Sequence, residues 1–448
     1  MADSEVTTLD DYESDQKLGY DEYSEFKEFD EEWINRIPAH WEAKRFRSQL
    51  GYTKGAKPKE VNSEKTEKFD IPYLSMEYLR GQESSPSYAK NTDDLVLADS
   101  EDILLLWDGS KAGEFVQAKE GAVSSTMAKL FQREENDSSF LYYELKVLED
   151  YLQHNTVGMG IPHVNPNILK NIRLIIPPDE EQKAIAEFLD EETERVDKLV
   201  EHKKTLLELL DEKRNSLITN KITKGLDEVK ETKDSDIPGV GEIPESWDLA
   251  PLKFSSQNIT VGIVQKPSQY YVDDGVPALR AVNIEPNKIV DDDFVRISEE
   301  YNNELKGSQV HAGDLVSVRR GDPGTTAVIP EELDGANCIN LVIIRQPDGY
   351  IPEFLSLLMN SEASKSQVEA GTTGATMAHF NVGDVQELVF PKPDLEEQRE
   401  ILDWLSPRLE DINVLEEKIQ EGIEHLEEYR TALITAAVTG QIDVRGEV

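Results

Sequence analysis

Four residues in the first half of the chain have the types found in a nuclease metal site. They resemble a compressed PD…ExK motif and are Pro178, Asp179, Glu181 and Lys183. A nuclease needs the aspartate and the ExK residues on two adjacent strands that share a metal. Here all four lie within six residues at a predicted helix start, and the matching positions of the second half carry Leu395 and Arg399. We therefore interpret the motif as a helix entry.

No other catalytic or cofactor motif is recognisable in the sequence. It contains no GxxxxGK[ST] phosphate loop, no Asn/Asp-Pro-Pro-aromatic tetrad of adenine methyltransferases and no HExxH. The seven histidines are scattered, and the single cysteine, Cys338, cannot start a zinc site. The sequence predicts a protein that is not an enzyme and that uses no metal and no cofactor.

The charge of the chain is strongly negative. Its 448 residues include 47 Lys and Arg against 90 Asp and Glu, a net charge of −43. Such a charge ordinarily opposes nucleic-acid binding. The acidic residues are spread over patterned segments and loops alike, as in proteins of a salt-saturated cytoplasm, where the Debye length is about 3 Å at 1 M salt. We expect a halophilic source, and the charge does not exclude a DNA ligand.

Cysteine content and the N-terminal sequence indicate the compartment. Cys338 cannot form an intramolecular disulfide, and no apolar run approaches the roughly 18 residues of a membrane span. The N-terminus lacks the basic and apolar regions of a signal peptide. We expect a cytoplasmic protein without membrane contact. Residues 1–32 hold 13 acidic residues against two lysines and are predicted to form a flexible acidic tail.

The chain contains an internal duplication. IPAHW at residues 37–41 returns as IPESW at 243–247, and EEQKAIAEFLDEE at Glu180 returns as EEQREILDWLSPR at Glu396. The offset grows slowly along the chain, from 206 to 216 positions, and the order of the matches is kept. Each half thus contains a globular part followed by a more similar segment.

The globular parts, residues 33–178 and 241–393, are predicted to be mixed α/β domains. Short β-type runs lie between Gly, Pro and Asp breaks: DILLLW (102–107), NIRLII (171–176), DLVSV (314–318) and INLVII (339–344). Helices are predicted over residues 139–153 and 352–369.

The similar segments, residues 179–226 and 394–443, are predicted to be long helices joined through a polar linker at 227–240. Alternate steps of four and three residues give a seam with seven of ten apolar positions from Ile185 and eight of ten from Ile401. A helix of about 40 residues is roughly 60 Å long. A polar helix of that length needs a partner, and the sequence favours its own duplicate, antiparallel to it, over separate packing on each globular part.

Together these segments resemble the DNA-specificity (S) subunit family of Type I restriction-modification systems. The resemblance spans residues 33–444 and rests on IPxxW at the start of each half, the PP(x)EEQ-type helix entries, the helix exits NSLITNKITKGLD and TALITAAVTGQID, and the two-fold repetition. It implies two target-recognition domains, each reading half of a split DNA sequence, joined with pseudo-twofold symmetry by two antiparallel coiled-coil helices. It also implies double-stranded DNA, two modification (methyltransferase) subunits and restriction subunits as partners.

Two other classes of protein remain open from the sequence. One is an enzyme, a DNA methyltransferase or nuclease, with a fused specificity domain; the missing catalytic motifs argue against it. The other is a coiled-coil structural adaptor, which would bind DNA without sequence preference.

Direct reading of DNA needs Arg or Lys at guanine, Asn or Gln at adenine, and hydroxyl or amide donors at phosphate. Cations stand out in so acidic a chain. The candidates of the first half are Lys54, Lys57, Lys59, Arg80 and Lys111, and those of the second half are Lys266, Arg280 with Asn283, Arg319 and Arg320. Arg319 and Arg320 end a predicted strand before GDPG, so a tight turn should project them. For each residue, a solvated loop charge is the alternative.

A Gly/Thr-rich segment at residues 371–381 (GTTGATMAHFN) matches residues 155–165 (NTVGMGIPHVN). The resemblance places such a turn where a recognition domain meets DNA. Glycines would let backbone amides approach a phosphate, and hydroxyls would add donors. The candidates here are Thr373, Thr376, His379 and its match His163. The alternative is a turn whose histidine caps a neighbouring loop.

Overall fold

A computed structural model describes residues 19–31, 33–90, 95–158, 160–227, 231–265, 267–290, 293–371 and 380–447. The chain divides into two compact units. Unit 1 comprises residues 1–203 and 421–448, and unit 2 comprises residues 204–420. Each unit therefore holds one globular part together with portions of both long helices.

Unit 1 is built around a four-stranded antiparallel sheet of order β10-β9-β12-β4 and a five-stranded sheet of order β5-β7-β6-β11-β8. Two-stranded pairs join β1 to β2 and β3 to β13. Its strands are β1 (Phe26–Glu31), β2 (Ile34–Pro38), β3 (Glu42–Arg45), β4 (Leu50–Lys54), β5 (Val61–Asn62), β6 (Ile71–Leu74), β7 (Ser87–Ala89), β8 (Leu97–Ala98), β9 (Ile103–Leu106), β10 (Phe115–Gln117), β11 (Gly121–Val123), β12 (Met127–Gln132) and β13 (Arg173–Ile176). Its shorter helices are α1 (Phe46–Gln49), α2 (Met76–Leu79), α3 (Ser138–Val147), α4 (Glu149–His154) and α5 (Pro166–Asn171).

Unit 2 has a matching four-stranded antiparallel sheet of order β17-β26-β23-β24 and a second sheet of order β18-β22-β19-β25. Two-stranded pairs join β14 to β15, β16 to β27 and β20 to β21. Its strands are β14 (Thr232–Asp234), β15 (Glu242–Pro244), β16 (Asp248–Pro251), β17 (Ser256–Val261), β18 (Tyr271–Val272), β19 (Val276–Leu279), β20 (Ile284–Glu285), β21 (Lys288–Ile289), β22 (Val295–Ile297), β23 (Leu315–Val318), β24 (Thr326–Val328), β25 (Asn337–Cys338), β26 (Leu341–Pro347) and β27 (Val389–Lys392). Its shorter helices are α7 (Glu299–Glu304), α8 (Pro352–Asn360), α9 (Glu362–Gly371) and α10 (Val382–Glu387).

The long helices are α6 (Asp179–Lys224) and α11 (Leu395–Val438). Within unit 1, Asp197 forms an ion pair with Arg430 at 3.2 Å, and Lys203 lies against Gly422. Increasing residue numbers on α6 therefore meet decreasing numbers on α11. Unit 2 shows the same direction independently, since Arg214 pairs with Glu416 and Lys221 lies over the ring of Trp404. In each unit the two helices run antiparallel.

The helices end where glycine allows a left-handed turn. Gly225 follows α6 with a φ of 75°, and Gly440 follows α11 with a φ of 71°. Such glycines are the usual C-terminal cap of an α-helix. The second helix consequently stops at Val438, five residues short of the predicted boundary at residue 443.

The seam predicted along the helices is wrong in their middle. Leu199, Leu206 and Leu415, all predicted to face the partner helix, are 45%, 49% and 48% exposed. The inward positions are one residue later, since Val200 is 9% exposed and Leu207 is half-buried. Steps of four and three average 3.5 residues per turn, whereas a straight helix has 3.6, so the seam drifts by about 20° per heptad.

The globular parts have the predicted mixed α/β composition. The four predicted β-type runs correspond to β9, β13, β23 and β26, and the two predicted helical stretches to α3 with α4 and α8 with α9. Their apolar runs form the cores: all four residues of both β9 and β23 are buried. These predictions are confirmed.

Residues 20–31 are packed, so the prediction of a flexible tail through residue 32 is wrong for them; residues 1–18 lie outside the described part. Phe26–Glu31 forms β1, and Tyr23 and Phe29 are 5% and 4% exposed. The same residues repeat the linker: GYDE at 19–22 matches GLDE at 225–228, 206 positions later. The backbone bond from Ala39 N to Glu25 O returns as Glu245 N to Glu231 O, each 2.9 Å long. The predicted linker likewise contains a strand, β14.

Glu144 is a buried carboxyl group in the core of unit 1. It is 1% exposed, and its Oε1 accepts the backbone N–H of Ile175. Among the described residues its Oε2 has no hydrogen-bond partner. Burial raises the pKa of Glu144 well above its usual value. The folded protein therefore holds this group protonated at a pH where the unfolded chain ionises it.

Replacing Glu144 with glutamine should stabilise unit 1 more at pH 8 than at pH 5. Because the folded pKa is raised above the usual 4.5, the free energy of unfolding of the wild type falls as pH rises above that value. Glutamine keeps the acceptor for Ile175 and removes the ionisation. Calorimetric melting temperatures at the two pH values measure the effect, with exposed Glu135→Gln as control. An equal shift at both pH values would contradict the buried ionisation.

Candidate nucleic-acid interface

A glutamate at the helix entry joins each IPxxW motif to its long helix; Glu181 is buried and Glu397 is half-buried. The indole Nε1 of Trp41 donates to Glu181 Oε2 at 2.9 Å, and that of Trp247 donates to Glu397 Oε2 at 2.8 Å. In unit 1, Tyr23 also donates its hydroxyl to Glu181 Oε2 at 3.1 Å. These carboxylates are the second Glu of each EEQ entry. Glu181 of the nuclease-like motif is thus part of a structural joint.

The glutamine of each EEQ entry ties the helix start to the globular part. Gln182 accepts from the backbone N–H of Asp137, which caps α3, and donates to Pro177 O, both at 2.9 Å. Gln398 accepts from Ile351 N, before α8, at 2.7 Å and donates to Pro393 O at 2.9 Å. Both glutamines are buried. The globular part of each unit is therefore fixed to its long helix by the same contacts.

The two Gly-rich segments meet the sheet in the same way. Val164 N donates to Trp107 O at 2.9 Å in unit 1, and Phe380 N donates to Arg319 O at 3.0 Å in unit 2. Within the first segment, Val157 and His163 exchange two backbone bonds of 2.9 Å. Val164 and Phe380, at matching positions of the two segments, thus each bond to the residue just after the matched strands β9 and β23. Residues 372–379 of the second segment lie outside the described part.

Lys54 and His163 are brought together at the end of β9. Lys54 Nζ lies 3.0 Å from Asp108 Oδ2 and 5.3 Å from the centroid of a Trp107 ring. Asp108 and His163 form an isolated β-bridge. His163 is half-buried, with Nδ1 at 3.4 Å from Ile161 O. A DNA group at this place would compete with the carboxylate for Lys54.

The other cations predicted in the first half do not join this cluster. Lys57, Lys59 and Lys111 are exposed on loops. Arg80 follows α2 and forms an ion pair with Glu114, with Nε 3.3 Å from Oε1. Its positive charge is therefore already compensated within unit 1.

Arg319 is held beside the Gly-rich segment of unit 2. Its Nη2 donates to Asn381 Oδ1 at 2.9 Å, and its Nε is buried without a hydrogen-bond partner in the described part of the chain. Arg320 next to it is exposed. Gly321 and Gly324 both have a φ of 98°, which makes the predicted tight turn after the strand.

Arg280 and Asn283 have a structural role that the sequence did not reveal. Arg280 Nη2 donates to Asp293 O at 2.8 Å and pairs with Asp293 Oδ2 at 3.1 Å. Asn283 is fully buried, and its Oδ1 accepts from Arg280 N at 2.9 Å. The prediction that Asn283 contacts a base is therefore wrong, because its side chain caps a turn. Lys266, Thr373, Thr376 and His379 lie outside the described residues.

The described residues contain no group of three or more His, Cys, Asp or Glu side chains placed to hold a metal ion. No helix in this part of the chain is long and apolar enough to cross a membrane.

Comparison with known proteins agrees with the duplicated architecture. A family model described as the Type I restriction modification DNA specificity domain matches residues 38–209 and again residues 264–425. The chain belongs to this family. It carries two Type I DNA-specificity domains, and each match runs from a globular part into a long helix.

Two known specificity subunits match most of this chain. The Type I restriction enzyme MjaVIII specificity subunit of Methanocaldococcus jannaschii is 32% identical over 92% of this chain and 95% of its own. The EcoBI specificity subunit of Escherichia coli is 22% identical over 76% of this chain and 74% of its own. A chain from a solved structure of a type I R-M system shares the fold, with a TM-score of 0.64 at 18% identity over 91% of this chain and 99% of that one.

Proposed function

We propose that this DNA-specificity subunit reads a bipartite target, with one half-site contacted by each unit. The observation that carries the proposal is a repeated backbone bond at matched strand ends, from Val164 to Trp107 in unit 1 and from Phe380 to Arg319 in unit 2. The residues around the two strand ends differ, with Lys54, Asp108 and His163 at one and Arg319, Arg320 and Asn381 at the other. Two chemically different surfaces should select two different half-sites.

We further propose that the chain is non-catalytic and directs two modification subunits and the restriction subunits to the DNA. The positions of Leu199 and Leu415 are the observation that favours two modification subunits. These leucines occupy matching positions 216 residues apart on the long helices, and both are about half exposed. A leucine repeated on the surface at matching positions would offer the same contact to two copies of one partner. The proposed location is the cytoplasm.

The acidic composition is typical of proteins that function at high salt, and we propose a halophilic source. The net charge of −43 would oppose association with DNA at low ionic strength. Salt near 1 M shortens the Debye length to about 3 Å, so short-range contacts decide binding.

The modified-base map of DNA from cells that carry the chain and its partner subunits tests the reading of the target. We expect an asymmetric motif in two parts, separated by unspecified bases and absent from cells without the chain. A continuous or perfectly palindromic motif would contradict two different half-sites. Methyl transfer from S-adenosylmethionine to DNA by the purified chain alone would contradict the non-catalytic role.

A further inference from the structure

Two exposed arginines converge on one side-chain amide in unit 1. Arg45 is the last residue of β3 and Arg47 lies in α1. Their Nη1 atoms lie 3.2 Å and 3.0 Å from Asn171 Oδ1, respectively. Asn171 donates its Nδ2 to Asn167 O at 2.7 Å, which fixes the amide with its oxygen towards the guanidinium groups. The two cations are therefore held side by side.

Neither arginine is neutralised by a described carboxylate. No Asp or Glu oxygen in this part of the chain lies within 4.0 Å of either guanidinium group. Nearby cations are paired: Lys44 lies 3.1 Å from Glu134, and Arg173 contacts Glu31. A guanidinium has five N–H donors, and each arginine spends one of them on Asn171. Most of their donors remain available at the surface.

The internal repeat supplies a built-in comparison. The position of Arg47 is Lys253 in unit 2, 206 residues later, and that of Asn171 is Glu387, 216 residues later. Lys253 Nζ contacts the two oxygens of Glu387 at 2.8 Å and 3.0 Å, so this place is neutral in unit 2. In unit 1 an amide replaces the carboxylate and a second arginine is present where unit 2 has Pro251.

The arginine pair lies one short helix away from the candidate DNA-contacting segment. Helix α5 begins directly after residues 155–165 and ends at Asn171. Six helical residues span about 9 Å, roughly two to three base-pair steps at 3.4 Å each. A nucleic-acid strand that met the Gly-rich segment could therefore place a phosphate at the pair.

We propose that Arg45 and Arg47, oriented by Asn171, bind a phosphate of the DNA backbone. The guanidinium fork matches phosphate oxygens and makes strong charge-assisted bonds with them. The site belongs to unit 1 alone, because the matching place of unit 2 is closed by its own ion pair. A phosphate contact fixes the position of a domain on the duplex without reading sequence. This proposal rests on the DNA-binding function proposed above.

The test compares full-length variants for binding to duplexes with and without the modified motif at 0.5 and 2 M KCl, the range in which the acidic chain is proposed to work. For each phosphate that a variant no longer neutralises, the slope of log K against log salt should become shallower by about 0.9. Over this fourfold range of salt, the fall in affinity should then be about 3.5-fold smaller than in the wild type. We expect this of R45Q/R47Q on both duplexes. Asn171→Asp should reduce the slope too, because it supplies the carboxylate of unit 2. Lys253→Gln is the matched control and should leave the slope unchanged.

Several results would overturn the site. Unchanged slopes in both R45Q/R47Q and Asn171→Asp would exclude a phosphate contact, and a loss of affinity confined to the duplex with the motif would indicate base reading instead. A defect only in assembly with the modification subunits would assign the pair to an acidic protein surface. Circular dichroism checks folding, and Asn171→Asp, which keeps both arginines, carries the test if R45Q/R47Q is unfolded. A wild-type chain that binds neither duplex would overturn the proposed function together with the site.

Discussion

Glu181→Ala should lower the free energy of unfolding of unit 1 by about 3 kcal/mol. Glu181 is 8% exposed and accepts the indole N–H of Trp41 and the hydroxyl of Tyr23. Alanine leaves both buried donors without an acceptor, and each such loss costs about 1–3 kcal/mol. Urea denaturation followed by tryptophan fluorescence measures the change.

Two further variants distinguish the loss of the Glu181 hydrogen bonds from the loss of a negative charge. Glu181→Gln retains an acceptor oxygen and should recover about half of the lost stability. Glu180→Ala removes an exposed carboxylate one residue earlier and should change stability by less than about 0.5 kcal/mol. Equal stability of Glu181→Ala and Glu180→Ala would show that the Trp41 contact does not hold the joint.

Local pattern was sufficient to predict the two long helices and the main strands and helices of the globular cores. β9 and β23 are short apolar runs between breaks, and the start of each long helix follows a proline and acidic residues. These signals act between neighbours in sequence, where periodicity and capping are decisive. The duplication added the pairing of the two halves, because matched segments must take matched structures.

Beyond the pairing of the two long helices, the individual side-chain contacts between distant residues could not be predicted. Glu181 was identified at a helix entry, but its partner Trp41 is 140 residues away. Residues 20–31 looked like an acidic tail because their few aromatic side chains become buried only beside β2 and the long helices. Asn283 looked like a base-reading amide until its burial was known. Arg45 and Arg47 were missed because their shared partner, Asn171, lies more than 120 residues away.

The ends of unit 1 show how a linear sequence conceals a repeat. Asp443 N donates to Asp21 O at 2.7 Å, so the segment after α11 lies beside the segment before β1. Asp227 of the linker matches both aspartates, at offsets of 206 and 216 residues. In unit 2 the residues before β14 follow α6 directly in the sequence, whereas in unit 1 the matching residues before β1 and after α11 are far apart in the sequence. Composition alone therefore predicted a tail at residues 19–31, although these residues match the start of the linker.

Lengthening both long helices should change the gap in the DNA target and leave its half-sites unchanged. Insertions near the helix exits would displace Ile222 and Ala437, which are fully buried in the cores of units 2 and 1. The suitable points are after Lys203 in α6 and after Glu421 in α11, because these places lie opposite each other, as the contact of Lys203 with Gly422 shows. Seven residues return the helix to within about 20° of its original face and add about 10.5 Å. At 3.4 Å per base pair, the unspecified gap should grow by about three base pairs in the modified-base map.

Seven residues added after Val229, in the linker, are the control and should leave the gap as it was. An original gap in the helix-insertion variant would mean that the partner subunits and DNA, rather than the helices, set the spacing.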